Sequence, residues 1–279
     1  MNLSSRRMLS ISRDVAALGV VGAYMFPLAW WLYLSFEPYF DIINNDKAGF
    51  FSFTPTFDNY RFAFSADGPD AFNILKAMEN SVFIASGSTV LAISCSLGAA
   101  FGLSRFDFPR RNAFLLAVLG FRFLPTIAII IPAAIVMRQL NVFDTRLSVI
   151  LLHAEMNLPI AILMLKSFFD EVPREVDDAA KIDGASQLQV LFKIVMPIAK
   201  GGIAATAIFC FIFSYIEFLM ALFLSVSFRT VPVTMAVLAS GASWGTLAAA
   251  GISSMLPGFV FILFVQRYIV RGLTLGIHR

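Results

Sequence analysis

The sequence predicts an all-α, polytopic membrane protein, and three observations carry the prediction. Hydrophobic residues make up 58% of the 279 and charged residues only 14%, where a soluble domain is about a quarter charged. Six runs are long and apolar enough to cross a bilayer, which takes roughly 20 residues each. Between the fourth and fifth runs lies a segment, 170–197, crowded with charge instead.

The runs follow in order. Segments 15–36 and 81–104 contain no charged residue. Segment 112–137 contains only Arg122, 147–165 only Glu155, and 201–228 only Glu217; 247–266 is again uncharged. No small-residue cleavage site follows the first run, which continues Glu37-Pro38-Tyr39, so it reads as a retained helix and not a signal peptide. No Gly-, Ser- or Pro-rich linker divides the chain, and 1–279 reads as one transmembrane domain. Prolines within the runs, such as Pro27, Pro125, Pro132, Pro159 and Pro257, predict kinks that neighbouring helices or water must satisfy.

Orientation follows from the basic residues. Of 21 Lys/Arg, 14 fall in 1–14, 105–111, 166–200 and 267–279, and six in 37–80, 138–146 and 229–246. The excess of positive charge marks the cytoplasmic side, which places both termini and the charged segment inside. The basic pI reflects this rim and gives no reason to expect nucleic acid. Cys95 and Cys210 both lie in runs, which excludes a disulfide framework, and without His neighbours they make no metal site.

Two short amphipathic patterns are legible in the charged segment. Pro173 suits the start of a helix and Glu175 suits its positive dipole end. Val172, Val176, Ala179 and Ala180 fall at helical spacing and predict one small apolar face. Asp183-Gly184 breaks the pattern. Leu188, Leu191, Phe192 and Val195 then repeat it until Pro197. Six acids against Arg174 and Lys181 in 170–183 make a poor lipid-surface helix, because an anionic leaflet repels it. A protein partner fits the charge better.

The spacing Asp178-Ala179-Ala180, three residues, Gly184, nine residues, Ile194-Val195-Met196-Pro197 resembles the "EAA" loop of permease subunits of bacterial ATP-binding-cassette importers. Asp178 stands for the usual Glu and Met196 for the usual Leu. The stretches FRFLPTIAIIIP (121–132), NVFDTRLSVILLHAEMNLPIAILMLKSFFDEVP (141–173) and QRYIVRGLTLGIHR (266–279) extend the likeness over most of the chain, toward the second permease of maltose-type, carbohydrate-uptake systems. The resemblance implies a multi-pass permease of the bacterial inner membrane that carries a sugar, polyol or sugar derivative. Its expected partners are a homologous permease, an ATPase dimer, an extracytoplasmic binding protein and the surrounding lipid. ATP and Mg²⁺ would belong to the ATPase, since this chain has no G-x4-G-K-[ST] loop and no clustered catalytic residues.

On the same resemblance, 170–197 is the coupling segment. Arg174, Glu175, Asp178 and Lys181 would make charged contacts to the ATPase, Ala179, Ala180 and Ala185 would form the shallow surface, and Asp183-Gly184 would supply the turn. Trp244, between the last two runs, would face the binding protein.

Ionisable and polar groups at membrane depth are functional candidates by default. They are Arg122, Glu155, Asn157, Tyr215 and Glu217. Two readings stand for Arg122 and Glu155: a structural ion pair, or a lining of the solute path. An ion-coupled secondary transporter, working through Glu155 or Glu217, is the rival from another class.

Overall fold

The computed structural model describes residues 3–38, 53–65, 73–241 and 244–275, with side chains described over 13–38, 53–65, 73–241 and 244–265. The last four residues of the C-terminal stretch matched above, 276–279, lie outside it. Every regular element among the described residues is helical. The helices are α1 (Leu3–Leu34), α2 (Asp58–Phe64), α3 (Ile74–Arg105), α4 (Arg111–Arg122), α5 (Thr126–Gln139), α6 (Arg146–Asp170), α7 (Arg174–Ile182), α8 (Gln187–Val190), α9 (Lys200–Tyr215), α10 (Leu219–Leu224), α11 (Val231–Gly241), α12 (Trp244–Ser254) and α13 (Leu256–Leu275).

Four stretches are long and apolar enough to cross a membrane: Arg13–Leu34, Ile74–Arg105, Arg146–Asp170 and Trp244–Val265. Two more candidates are bent. The third run is not one rod but α4 and α5 at 88°, broken over Phe123-Leu124-Pro125. Proline removes a donor and biases the residue before it away from the helical region, and the break falls there. The fifth run also differs from expectation: α9 stops at Tyr215, and a separate short α10 follows after Ile216-Glu217-Phe218.

The chain folds as two compact units. One comprises residues 1–74 and 235–255, and in it α12 packs on α1 and α2. Asn59 is its polar centre: Nδ2 donates to the carbonyls of Ser35 (3.0 Å) and Glu37 (2.8 Å) and, on the other side, Oδ1 accepts from Thr246 Oγ1 (3.5 Å). Lipid-side apolar residues of α1, Leu18 and Tyr24 among them, are exposed, as a membrane face requires.

The other unit comprises 75–234 and 256–279. Here α9 packs against α6 and α13. The approach of α9 to α6 is close because Gly202 lacks a side chain; a Cβ there would lie 2.1 Å from the Phe168 ring. Small residues at such crossings are the usual device of membrane bundles. An open apolar groove of about 1060 Å³ runs along α3, lined by Leu75, Val82, Phe83, Val90 and Leu91.

Between α5 and α6 the chain turns through Asn141 and Asp144, both at positive φ (56° and 59°), a conformation that Asn and Asp tolerate. Asp144 Oδ1 accepts from the amides of Val226 (2.6 Å) and Ser227 (2.9 Å), tying this turn to the end of α10. The Ser227 amide, with a smaller contribution from Val226, holds the Asp144 carboxyl below its ordinary 3.8 against partial desolvation. A carboxyl with a depressed folded-state pKa stabilises above its unfolded pKa and loses that contribution as pH falls through the folded value. Asp144→Asn is therefore expected to lower the thermal midpoint at pH 6, with the difference from wild type shrinking as pH falls below the ordinary 3.8 and through the depressed folded-state value; thermal melts in detergent at stepped pH check it.

Candidate functional site

The charged segment builds into two helices joined by a tight turn. Pro173 fixes the entry to α7, and Glu175 and Asp177 lie in its first turn, where acids suit the helix dipole. The end of α7 is a Schellman closure. The Ala185 amide donates to the Ala180 carbonyl (2.9 Å) and the Gly184 amide to that of Lys181 (3.0 Å), with Gly184 at φ +84°. That closure needs a left-handed residue at the Gly184 position, which is the physical reason for a glycine there. Ser186 then caps α8, accepting from the Gln189 amide, while the Gln189 side chain accepts from the Ser186 amide (2.8 Å), a reciprocal capping box.

Beyond α8 the helix widens to a π turn over Leu191–Val195 and continues to Ile198. Pro197 offers no amide to the Lys193 carbonyl and its ring crowds that oxygen. The chain then bends by 81° into α9. Val172, Val190, Leu191 and Val195 are buried with Leu97, Phe101, Leu165 and Phe169 in one apolar cluster, against which Ala180 and Ala185 pack.

This corrects the expected single apolar face. Val172 and Ala180 point inward, but Val176 (38% exposed) and Ala179 point out, and Asp177 is buried instead. In the second helix Leu191 and Val195 are inside while Leu188 and Phe192 are exposed. Ile182, at the tip of α7, is 86% exposed, so the surface offered to a partner is not uniformly small.

The charged residues sort into two groups. Glu175, Asp178, Lys181 and Asp183 are exposed, with Lys181 Nζ 3.2 Å from Asp178 Oδ1. Arg174 instead reaches back into its own chain, donating to the Ser104 carbonyl (3.1 Å). The sequence reading gave no individual role to four residues here. Arg105, the last residue of α3, pairs with Asp177 (Nε–Oδ2 2.6 Å), and Ser104 Oγ donates to Asp170 Oδ1 (2.7 Å). Asp177 stands three residues before the inward-facing Ala180, so helical period was the one available signal.

The polar residues at membrane depth also divide. Arg122 and Glu155 line one small crevice at the α4–α5 break, with Phe121, Thr126 and Met156. No ion pair joins them among the described residues; Arg122 donates to the Met156 carbonyl (3.4 Å) and lies over the Phe213 ring (5.7 Å). Asn157 and Tyr215 do not reach that crevice. Asn157 is buried and donates to the Cys210 carbonyl (3.1 Å), and Tyr215 stacks on Phe211.

Glu217 sits in the gap between α9 and α10. Its carboxylate accepts from the amides of Met220 (3.0 Å) and Ala221 (3.3 Å), the first turn of α10, and from His153 Nε2 (3.2 Å). A carboxylate can only accept, so His153 Nε2 carries a proton and donates to Glu217, while Nδ1 lies 2.7 Å from Ser214 Oγ. Ser214 in turn accepts from Ser88 of α3 (2.8 Å). The chain Ser88–Ser214–His153–Glu217 thus ends by capping α10, whose first amides have no partner within the helix. Trp244 opens α12 and is 64% exposed, while the residues after it are buried. No group of three or more metal-ligating side chains occurs among the described residues.

Residues 92–275 match the family described as binding-protein-dependent transport system inner membrane component. The chain is 35% identical to the trehalose transport system permease protein SugB of Mycobacterium tuberculosis over 92% of this chain and 93% of that one. It is 31% identical to the sulfoquinovosyl glycerol transport system permease protein SmoH of Agrobacterium fabrum, over 95% and 92% respectively. Its fold is similar to that of a chain in the crystal structure of a bacterial transporter that imports the acidic polysaccharide alginate, with a TM-score of 0.73 at 19% identity, covering 96% of this chain and 99% of that one.

Proposed function

Because the chain belongs to the family of binding-protein-dependent transport system inner membrane components, we propose that it is the permease subunit through which an ATP-driven importer moves a sugar, polyol or sugar derivative into the cell. It is a membrane transport component and not a catalyst. The solute class is supported by the relatives named for trehalose and sulfoquinovosyl glycerol.

The observation that carries the mechanism is the geometry of α7. A short acid-rich helix, closed at Gly184 and carrying an exposed Ile182 at its tip, is held between two spans. A separate ATPase dimer, with ATP and Mg²⁺ on its own subunits, would take this helix in a cleft. Glu175, Asp178, Lys181 and Asp183 would make the rim contacts, with Ala179 and Ile182 inside. Its closure would move α7, the spans would rock, and solute would pass inward. The homologous permease would cover the apolar groove along α3, and Trp244 would face the extracytoplasmic binding protein that delivers solute. Both termini and α7 would be cytoplasmic. Within the path, the crevice of Arg122 and Glu155 is the solute-facing candidate, while Asn157, Tyr215 and Glu217 shape the helices behind it.

Reconstitution in proteoliposomes with the homologous permease, ATPase and binding protein tests the reading. Uptake of the cognate solute should need all four components and ATP. Uptake by this chain alone, driven by an ion gradient, would overturn it in favour of a secondary transporter.

A further inference from the structure

We propose that Asp177 and Arg105 are positioning residues that latch the coupling helix to the second long span, so that movement of α7 is delivered to α3 directly and not only through the two spans that flank it in sequence. The inference rests on the coupling role proposed above for α7.

Two contacts join α7 to the end of α3, and the first of them is buried. Arg105 Nε lies 2.6 Å from Asp177 Oδ2, with only 6% and 3% of the two side chains exposed. The same guanidinium donates through Nη2 to the Val172 carbonyl (3.0 Å), just before α7 begins. Arg174 closes the lattice from the other side by donating to the Ser104 carbonyl (3.1 Å), and Ser104 Oγ donates to Asp170 at the end of α6. Ion pairs on the surface contribute little, but a buried charge that loses its partner is strongly disfavoured. Neither Asp177 Oδ1 nor Arg105 Nε has a hydrogen-bond partner among the described residues, so the attraction of the two charges at 2.6 Å is what holds that carboxylate inside.

The pair therefore resists separation, and a displacement of α7 carries the end of α3 with it. The consequence reaches far along the membrane, because α3 is 32 residues long, about 48 Å at 1.5 Å per residue. It carries Ser88, the first member of the polar chain that ends at Glu217, and it forms the wall of the open groove. A latch at its inner end links ATPase closure to both.

The test uses the complete reconstituted importer, reading assembly, ATP hydrolysis and solute uptake separately. Asp177→Asn should leave assembly and basal hydrolysis near wild type while uptake per ATP falls at least tenfold. Asp177→Glu, which keeps the charge, should retain most uptake. If Asp177→Asn does not assemble, Arg105→Lys serves: it keeps a cation but loses the planar fork that reaches both Asp177 and Val172, and uptake per ATP should fall about threefold or more. Unchanged uptake per ATP in whichever of the two assembles, or a fall in Asp177→Glu as deep as in Asp177→Asn, would overturn the latch. Absence of ATP-driven uptake in the wild-type complex would instead sink the underlying permease reading.

Discussion

Replacing Gly184 with valine is expected to abolish most ATP-driven uptake, while Gly184→Asn keeps much of it. Gly184 sits at φ +84°, and nothing lies within 4 Å of where a Cβ would be. The cost is therefore conformational and not a clash with neighbours. A left-handed backbone costs an L-residue about 1–2 kcal/mol, and β-branched residues suffer most. Asn pays less because its side chain bonds locally. If valine forces the backbone out of this region, the Ala185–Ala180 and Gly184–Lys181 hydrogen bonds break together, and α8 leaves α7 in a different direction. Ile182 and the exposed acids would then no longer present one surface. Uptake should fall more than about tenfold, since 1.4 kcal/mol corresponds to that factor. Initial-rate uptake in proteoliposomes, normalised to assembled complex, measures it. Equal uptake by the valine and asparagine variants would show that the closure does not matter.

The second large effect is on stability. Glu217→Ala removes one acceptor from three donors at once: the Met220 and Ala221 amides and His153 Nε2. Each buried donor left unsatisfied costs roughly 1–3 kcal/mol. A thermal midpoint lower by about 5–10 °C is expected, and Glu217→Gln, whose amide oxygen still accepts, should lose less than half as much. Differential scanning fluorimetry in detergent reads both. If alanine and glutamine variants melt together within a degree or so, the capping role assigned to Glu217 is wrong.

These two residues also mark how far the sequence could be read. The spans were legible because apolar runs of bilayer length have few alternatives. The turn at Gly184 was legible because glycine between two amphipathic patterns has a specific backbone meaning. Glu217 stood out as a charge in oil, yet its partners did not. The break between α9 and α10 carries no proline, and the donors it caps are backbone amides, which every residue has.

Arg105 and Asp177 were less visible still. They are far apart in sequence, each sits among other charges, and only packing of α7 against α3 decides which of the acids goes inside. Burial of Asp177 in turn fixes the rotation of α7, which is why Val176 and Ala179 face outward and the expected apolar face split. The pairing of Arg122 with Glu155, one of two readings open from sequence, gave way to a shared crevice because the α4–α5 bend directs Arg122 to the Met156 carbonyl instead.

The central claim, that 170–197 is where an ATPase grips this permease, is tested most directly by cross-linking from the tip of α7. In a cysteine-free background of the reconstituted importer, Ile182→Cys treated with a short bifunctional reagent should capture the ATPase subunit, and capture should stop ATP-driven uptake. Trp244→Cys should capture no ATPase. Failure of Ile182→Cys to capture the ATPase in complexes that still take up solute with ATP would contradict the account.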